Sequence, residues 1–303
     1  MTTLSVVVLA TDAPATLPRC LAAIDRSGCA DEVIVVDGPA RLSASAARNA
    51  GADRATGDVV VFVDADVEVH ADALQRIRAA FDTQGALTAV FGSYDDAPAA
   101  DGVVSAFRNL LHHHVHQQAA GPAETFWSGL GAVRRGTFRT VGGFDEQRFP
   151  LPSVEDVDLG ARLTAAGAQV LLDPAIQGTH LKRWTLRSMV VTDVTRRGVP
   201  WVALILRHRR GSTALNLGWR HRVTACACAL AAGGLLTRRP WAAAVALGVV
   251  ASLNRDLYAL LARRRGWPEA AAGVALHMVH HLCGLAAVPL GVVSHVREQR
   301  AAR

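Results

Sequence analysis

The first 81 residues alternate between short valine-rich apolar runs and segments with the spacing of amphipathic helices. The apolar runs are continuous, as in strands that are buried on both faces of a sheet. The sequence therefore predicts three strands (4–10, 32–36 and 58–63) and three intervening helices (16–24, 43–52 and 72–81). This alternation predicts an α/β fold with a doubly wound, mostly parallel sheet.

Acidic residues follow two of these strands directly. Asp37 comes after the second strand, and Asp64 and Asp66 come after the third, separated by one alanine. Ligands of such sheets bind at the carboxyl ends of the strands. Two carboxylates at that position can hold Mn²⁺ or Mg²⁺ beside a diphosphate, although the same string also occurs in solvated turns.

A second acidic group lies at the start of a later predicted helix. Glu155, Asp156 and Asp158 occupy three of four consecutive positions ahead of a helical run. Acidic residues commonly cap helix N-termini and complement the helix dipole. Three of them exceed what a cap requires, which makes Glu155 and Asp156 candidates for catalysis.

The order of motifs resembles family 2 glycosyltransferases with the GT-A fold, of the bacterial, membrane-associated kind. The resemblance covers roughly residues 3–185 and rests on six segments in the family's order: VVVLA, VVDG, ARNAGA, VVFVDADVEV, VGGFDE and EDVDLGARLTAAG.

The resemblance implies a nucleotide-sugar donor, a divalent metal and inverting transfer. Asp156 would take the proton from the acceptor hydroxyl, with Glu155 beside it, and no covalent intermediate is needed. The donor-binding residues implied are Asp37, Arg48, Asn49, Asp64 and Arg183. The implied metal ligands are Asp66, Asp64 and His180, with Mn²⁺ or Mg²⁺ as the metal.

The segment QGTHLKRW (177–184) resembles the QxxRW segment of processive members, with His180 in place of the Gln. Arg183 would then contact the diphosphate and Trp184 the acceptor, while His180 is a candidate metal ligand. The alternative is a basic, aromatic entry to a membrane interface.

The resemblance also implies acceptor contacts from Trp127, Ser128, Gly129 and Asp145, which precede the second acidic group, in addition to Trp184. The histidines at 112, 113, 114 and 116 suggest a metal cluster, but no neighbouring Asp, Glu or Cys completes one, so packing or acceptor-side lining is favoured.

Charge and hydropathy divide the chain. Residues 1–180 contain 13 Lys/Arg and 22 Asp/Glu, whereas residues 181–303 contain 19 and 4. From about residue 223 apolar stretches dominate, and basic residues flank them. We therefore predict a catalytic domain (1–185), basic juxtamembrane helices (186–222) and one to three membrane spans (223–303). Basic residues in this setting favour lipid headgroups and not nucleic acid.

These observations predict a glycosyltransferase at the cell membrane, with its catalytic domain on the cytoplasmic side because no signal peptide is recognised. The donor would be a UDP-, GDP- or TDP-sugar and the acceptor a lipid or glycolipid. Two alternatives remain open: a transferase for soluble acceptors whose tail is an anchor, and a non-catalytic membrane scaffold.

Overall fold

The computed structural model describes residues 1–12, 14–39, 42–208 and 218–301, so residues 209–217 of the predicted juxtamembrane segment lie outside the described residues. The chain forms two compact units. The first contains Met1–Ala99 and His112–Lys182, and the second contains Ala100–Leu111 and Arg183–Arg303. The division predicted from the sequence did not foresee that 100–111 belongs with the C-terminal helices. Its buried side chains, such as Phe107, account for this, because that ring lies 6.0 Å from the ring of His277 in the second unit.

The first unit is built on a mixed sheet. The strands are β1 (Leu4–Leu9), β2 (Glu32–Val36), β3 (Val59–Asp64), β4 (Val67–Val69), β5 (Leu87–Tyr94), β6 (Gly121–Pro122), β7 (Leu130–Arg134) and β8 (Gln169–His180). Their order is β2-β1-β3-β7-β5-β8-β4, with β6 paired to β8. The pairs β1–β2, β1–β3 and β5–β8 are parallel, whereas β7 is antiparallel to both of its neighbours.

Helices pack against this sheet. They are α1 (Leu17–Ser27), α2 (Ala44–Arg54), α3 (Ala73–Thr83), α4 (Val103–Gln118), α5 (Arg135–Thr140) and α6 (Glu155–Ala165). The first half of α4 belongs to the second unit. Ser43 caps α2 by accepting a hydrogen bond from the amide of Ala46 at 3.1 Å, as its position before an Ala-rich run suggests. The predicted α/β class is confirmed, and the predicted strands and helices agree with the structure to within a few residues.

β1 and β3 are buried, and the acidic residues lie where β3 ends. Residues 59–63 of β3 are fully buried, and the strand ends at Asp64, whose side chain is partly exposed. On the far side, β4 pairs with the end of β8, so that Val67 lies opposite His180 and the amide of Leu181 donates to the carbonyl of Asp66 at 2.8 Å. The chain thus brings His180 to Asp66 through backbone pairing.

One glycine allows three strands to meet near this edge. Gly178 of β8 pairs with Tyr94 of β5 and with Val69 of β4. A Cβ atom at Gly178 would lie 2.6 Å from Cγ1 of Val67, closer than real side chains approach. The absence of a side chain is therefore required for the three-strand junction.

The second unit is helical over its described residues. It contains α7 (Leu186–Val191), a π-helical segment (Thr192–Gly198), α8 (Val199–His208), α9 (Trp219–Leu236), α10 (Pro240–Leu253), α11 (Arg255–Arg265) and α12 (Trp267–Ala301).

Within the part of the chain that the structure describes, one helix is long and apolar enough to cross a membrane. This helix is α12, and 28% of its most apolar window is buried. The helices α10 and α11 meet at a bend of 75° and together would make a second, broken span. The sequence predicted one to three spans, and length and apolar composition support one or two.

A buried polar network crosses the second unit. The guanidinium of Arg108 donates to Oδ1 of Asp193 at 2.8 Å, and Oδ2 of Asp193 lies 2.8 Å from Nδ1 of His280. Asp193 is 4% exposed and lies in the π-helical segment. The side chain of Arg108 also lies over the ring of Trp184, 5.0 Å from its centroid. The network thus joins α4, the π-helical segment and α12.

Candidate active site

Arg48 of α2 links the two acidic groups that the sequence pointed to. One terminal nitrogen of its guanidinium donates to Oδ1 of Asp64 at 2.8 Å, and the other donates to Oε1 of Glu155 at 2.9 Å. The side chains of Arg48 and Glu155 are each 6% exposed. Asp64 and Glu155 are 91 positions apart in the chain, so this bridge brings the end of β3 and the start of α6 together.

The charges in this bridge shift the pKa values of Arg48 and Asp64. Burial disfavours the charged guanidinium, but Asp64 and Glu155 outweigh burial and raise the pKa of Arg48 above its ordinary value. Burial also raises the pKa of Asp64, which Arg48 opposes and the negative charge of Asp66 reinforces. Arg48 therefore stays charged, and the carboxylates around it compete for one cation.

Glu155 and Asp156 differ in what their carboxylates contact. Oε1 of Glu155 accepts from Arg48, and Oε2 accepts from the amide of Ser153 at 2.6 Å. Asp156 is half-buried, and its Oδ2 lies 3.5 Å from the amide of Ser128. Both carboxylate oxygens of Glu155 are thus hydrogen-bonded within the protein, which favours a structural role. Asp156 lies beside the Trp127–Gly129 segment, in which acceptor contacts were predicted.

Asp66 lies next to an imidazole. Its Oδ2 is 3.6 Å from Nε2 of His180. Burial tends to raise the pKa of Asp66, but the interaction with His180 and the positive charge of Lys182 outweigh burial and lower that pKa. Asp66 therefore remains a carboxylate at neutral pH.

Three further rings, those of Tyr94, His112 and His116, pack in one group with the rings of His180 and Trp127. The ring of Tyr94 stacks on His180 at 4.1 Å with planes 10° apart, and it also lies 4.8 Å from the Trp127 ring and 4.2 Å from the His112 ring. His112 in turn lies 3.9 Å from His116. The packing role favoured for these histidines agrees with this arrangement.

Sequence reasoning missed Tyr94 and its neighbour Asp95. Asp95 is 5% exposed; its Oδ2 accepts a short hydrogen bond from the hydroxyl of Thr179 and lies 3.0 Å from Nε2 of His70. For Asp95 the signal was present, because Asp95 and Asp96 follow an apolar run much as Asp64 follows the valine-rich run 59–63.

Other predicted residues hold backbone turns. The side chain of Asn49 donates to the carbonyl of Phe144 and accepts from its amide, each at 2.9 Å, and so fixes the turn after Gly143. Asp145 forms an ion pair with Arg148 at 2.9 Å. The carbonyl of Gly129 accepts from the amide of Asp64 at 3.1 Å.

Three predicted residues lie apart from these contacts. Asp37 is exposed just beyond the end of β2. Arg183 is exposed and Trp184 is half-buried, and both open the second unit, where the amide of Trp184 donates to the hydroxyl of Ser105 at 2.9 Å. Their predicted roles toward donor and acceptor stay predictions.

A divalent metal in proteins is bound by several carboxylate, imidazole or thiolate ligands at once. Among the described residues, no group of three or more His, Cys, Asp or Glu is arranged to hold a metal ion. Asp66 and His180 form a pair, a carboxylate and an imidazole, with partly exposed Asp64 two positions from Asp66. The pair fits a metal whose other ligands come from a diphosphate, as is common where metals bridge to phosphates.

Comparisons with known proteins agree with this geometry. Residues 38–141 match the family model described as Glycosyl transferase family 2, a segment that includes Arg48, Asp64 and Asp66. A sequence search among curated proteins gives no match.

Solved structures also match this chain. One is the mannosyltransferase PcManGT from Pyrobaculum calidifontis, in complex with GDP-Man and Mn²⁺, with a TM-score of 0.53 and 15% identity over 97% of this chain and 87% of that chain. Another is GalNAc-T7 with UDP, GalNAc and Mn²⁺, with a TM-score of 0.46 and 16% identity over 64% of this chain and 48% of that one.

The matched segment includes the helix that carries Arg48 and the strand that carries Asp64, and the first of these structures shares the fold. The chain is a glycosyltransferase with a GT-A-type fold.

Proposed function

We propose that this chain transfers a sugar, with inversion and with the help of a divalent metal, from a nucleotide-sugar donor to a membrane-resident or lipid-linked acceptor. The observation that carries the proposal is the Arg48 bridge between Asp64 and Glu155, with Asp66 two positions after Asp64 and Asp156 directly after Glu155. A non-catalytic scaffold has no need of these four acids.

The contacts of each residue support the roles proposed for it. Asp156, half-buried beside Ser128, takes the proton from the acceptor hydroxyl. Arg48 and Glu155 hold the start of α6 against the end of β3 and so fix the separation between the base and the donor site. Asp66 and His180 hold the metal, with Asp64 contributing toward the ribose and the metal. When bound, the metal offsets the negative charge of the departing nucleoside diphosphate.

The donor and the metal are suggested by the similar fold. PcManGT holds GDP-Man and Mn²⁺, which makes GDP-mannose with Mn²⁺ the first pair to test. The donor site is proposed to include Asp37, Arg48 and Asn49, and Asn49 would act there through the turn that it fixes.

The nature of the acceptor rests on the second unit. Residues 181–303 combine 19 Lys/Arg against 4 Asp/Glu with a helix long enough to cross a bilayer. A transferase attached to a membrane in this way encounters acceptors that reside there. The alternative is a soluble acceptor, and identifying the product would distinguish the two.

The test is release of nucleoside diphosphate by the full-length chain in mild detergent. The donor panel contains UDP-, GDP- and TDP-sugars, each with Mn²⁺, with Mg²⁺ or with EDTA, and with or without a lipid extract. We expect metal-dependent release that rises with lipid, loss of release in Asp66→Ala, and a loss of about 10²- to 10⁴-fold in Asp156→Asn. Asp72→Asn, an exposed carboxylate outside the site, is the matched control.

Two product measurements complete the test. Radiolabelled sugar that partitions into an organic phase identifies a lipid acceptor, whereas label in the aqueous phase identifies a soluble one. The anomeric configuration of the product, read by NMR, decides inversion. Folded protein that neither binds a donor in a metal-dependent way nor releases nucleotide would overturn the catalytic proposal in favour of a scaffold.

A further inference from the structure

The ring of Tyr94 contacts both His180, of the proposed metal pair, and Trp127, of the proposed acceptor segment. It is 9% exposed at the end of β5 and touches His180, Trp127 and His112. Neither the sequence motifs nor the family match, which covers 38–141 as a whole, gives Tyr94 a role.

Backbone pairing explains why the stack is fixed. Tyr94 pairs with Gly178, so His180, two residues further along β8, points to the same face of the sheet. The amide of Asp95 donates to the carbonyl of Gly178 at 3.0 Å, and the side chain of Asp95 accepts from Thr179. Both neighbours of the stacked pair are therefore tied across the two strands.

The stack restricts one degree of freedom of His180. Two rings at 4.1 Å with planes 10° apart are in van der Waals contact over their faces, which prevents the imidazole from rotating about its second side-chain torsion. The orientation that is held is the one in which Nε2 faces Asp66 at 3.6 Å. Groups that orient a ligand in this way contribute strongly to metal affinity.

We propose that Tyr94 is a positioning residue that holds His180 in the orientation that binds the metal beside Asp66, and that it thereby favours Mn²⁺ over Mg²⁺. This rests on the proposed metal site. The preference follows because an imidazole nitrogen suits a transition-metal ion, whereas Mg²⁺ is bound through oxygen ligands and retained waters.

The experiment measures binding of Mn²⁺ alone to the purified full-length chain, from the electron paramagnetic resonance signal of free Mn²⁺. Tyr94→Phe keeps the ring and should bind as wild type does. Tyr94→Met keeps an apolar side chain that adapts to irregular space but lacks a flat face. We expect it to weaken Mn²⁺ binding about tenfold. The affinity for Mg²⁺, measured by competition with Mn²⁺, should change much less. The ratio of the Mn²⁺ affinity to the Mg²⁺ affinity should therefore fall.

Phe91→Leu is the matched control for lost packing. Phe91 is fully buried on the same strand and packs its ring edge-on against His116 at 5.8 Å, without a contact to His180. It should lower thermal stability and leave the Mn²⁺/Mg²⁺ ratio unchanged. If Tyr94→Met fails to fold, Tyr94→Leu, which also lacks a flat face, gives the same comparison.

The outcomes separate the two proposals. Mn²⁺ binding that is unaffected in both Asp66→Ala and His180→Ala removes the metal site itself. Binding that depends on both residues but is equal in wild type and Tyr94→Met leaves the metal site standing and overturns the role of Tyr94. An equal loss for Mn²⁺ and Mg²⁺ in Tyr94→Met also overturns it, because it would show a structural effect alone.

Discussion

Among the described residues, each unit contains one buried arginine that ties distant parts of its unit together, and the two differ in charge balance. The guanidinium of Arg48 lies between two carboxylates, those of Asp64 and Glu155. Arg108 pairs with Asp193, and the other oxygen of that carboxylate is taken by His280. In the first group one guanidinium is shared by two carboxylates, whereas in the second one carboxylate is shared by a guanidinium and an imidazole.

The difference shows how a buried arginine can be classified from its surroundings. A closed pair inside an apolar bundle holds helices together, and its desolvation cost is met by the partner within reach. A bridge with surplus carboxylates is unfavourable unless a cation joins it, which is the condition expected of a metal and diphosphate site.

The largest effect is expected for Arg48→Met. Removing the guanidinium leaves Asp64 and Glu155 without their shared cation, which should lower the free energy of unfolding by about 3–5 kcal/mol. Release of nucleotide per folded molecule should fall about 100-fold, because the start of α6 shifts relative to β3. Thermal unfolding followed by circular dichroism and the release assay measure the two effects. Arg54→Met, exposed on the same helix, is the control, and equal losses in both variants would contradict the bridge's role.

Arg108→Met should destabilise without the catalytic loss. It leaves Asp193 buried without its guanidinium, at a cost of up to about 3–5 kcal/mol. The double variant Arg108→Met with Asp193→Leu removes both charges and should return to within about 1 kcal/mol of wild type. Chemical denaturation in detergent measures both variants. A double variant no more stable than Arg108→Met would show that the network does more than balance charge.

A smaller effect is expected from pH. Burial tends to raise the pKa of Asp193, but the hydrogen bond from His280 and the charge of Arg108 outweigh burial and hold that pKa below its ordinary value of 3.8. As the pH falls, Asp193 therefore becomes protonated at a higher pH in the unfolded chain than in the folded chain. The resulting stability is present above the unfolded pKa and is lost as pH falls through the folded one.

The measurement compares wild type with Asp193→Asn in unfolding experiments from about pH 6 to about pH 3. The stability difference between the two should be constant at the upper end of this range and narrow below pH 3.8. A difference that stays constant to the lowest pH would show that Asp193 is not stabilised as a carboxylate.

The smallest effect is expected at the surface. Arg76 and Asp72 form an i, i+4 pair at 2.7 Å, with side chains 47% and 50% exposed. Arg76→Ala should cost less than about 0.5 kcal/mol, measured by thermal unfolding, because exposed pairs are screened by solvent. A cost near that of Arg108→Met would mean that burial does not explain the contrast between the arginines.

Local features were predictable from the sequence, and long-range pairings were not. The valine runs mark β1 and β3 because strands buried on both faces need continuous apolar residues. The acidic residues at the end of β3 followed from that assignment. The partners of Arg48 did not, because Glu155 is 107 positions away and the tertiary structure alone brings it near.

Two other features had no readable signal. The antiparallel strand β7 sits between β3 and β5, and its five residues resemble any short apolar run. The assignment of 100–111 to the second unit depends on which surface covers the first half of α4, which its amphipathic pattern does not specify. Tyr94 was missed for a related reason, since its importance depends on the register between β5 and β8.

The junction at Gly178 limits how this enzyme can be diversified. Because a methyl group there would collide with Val67, a saturation library at position 178 should return glycine almost exclusively, whereas position 136, where a Cβ meets nothing within 4 Å, should tolerate many residues. Substitutions that alter the site would therefore have to fall on side chains around the junction. The backbone of the three strands at Gly178 would stay the same in every such variant.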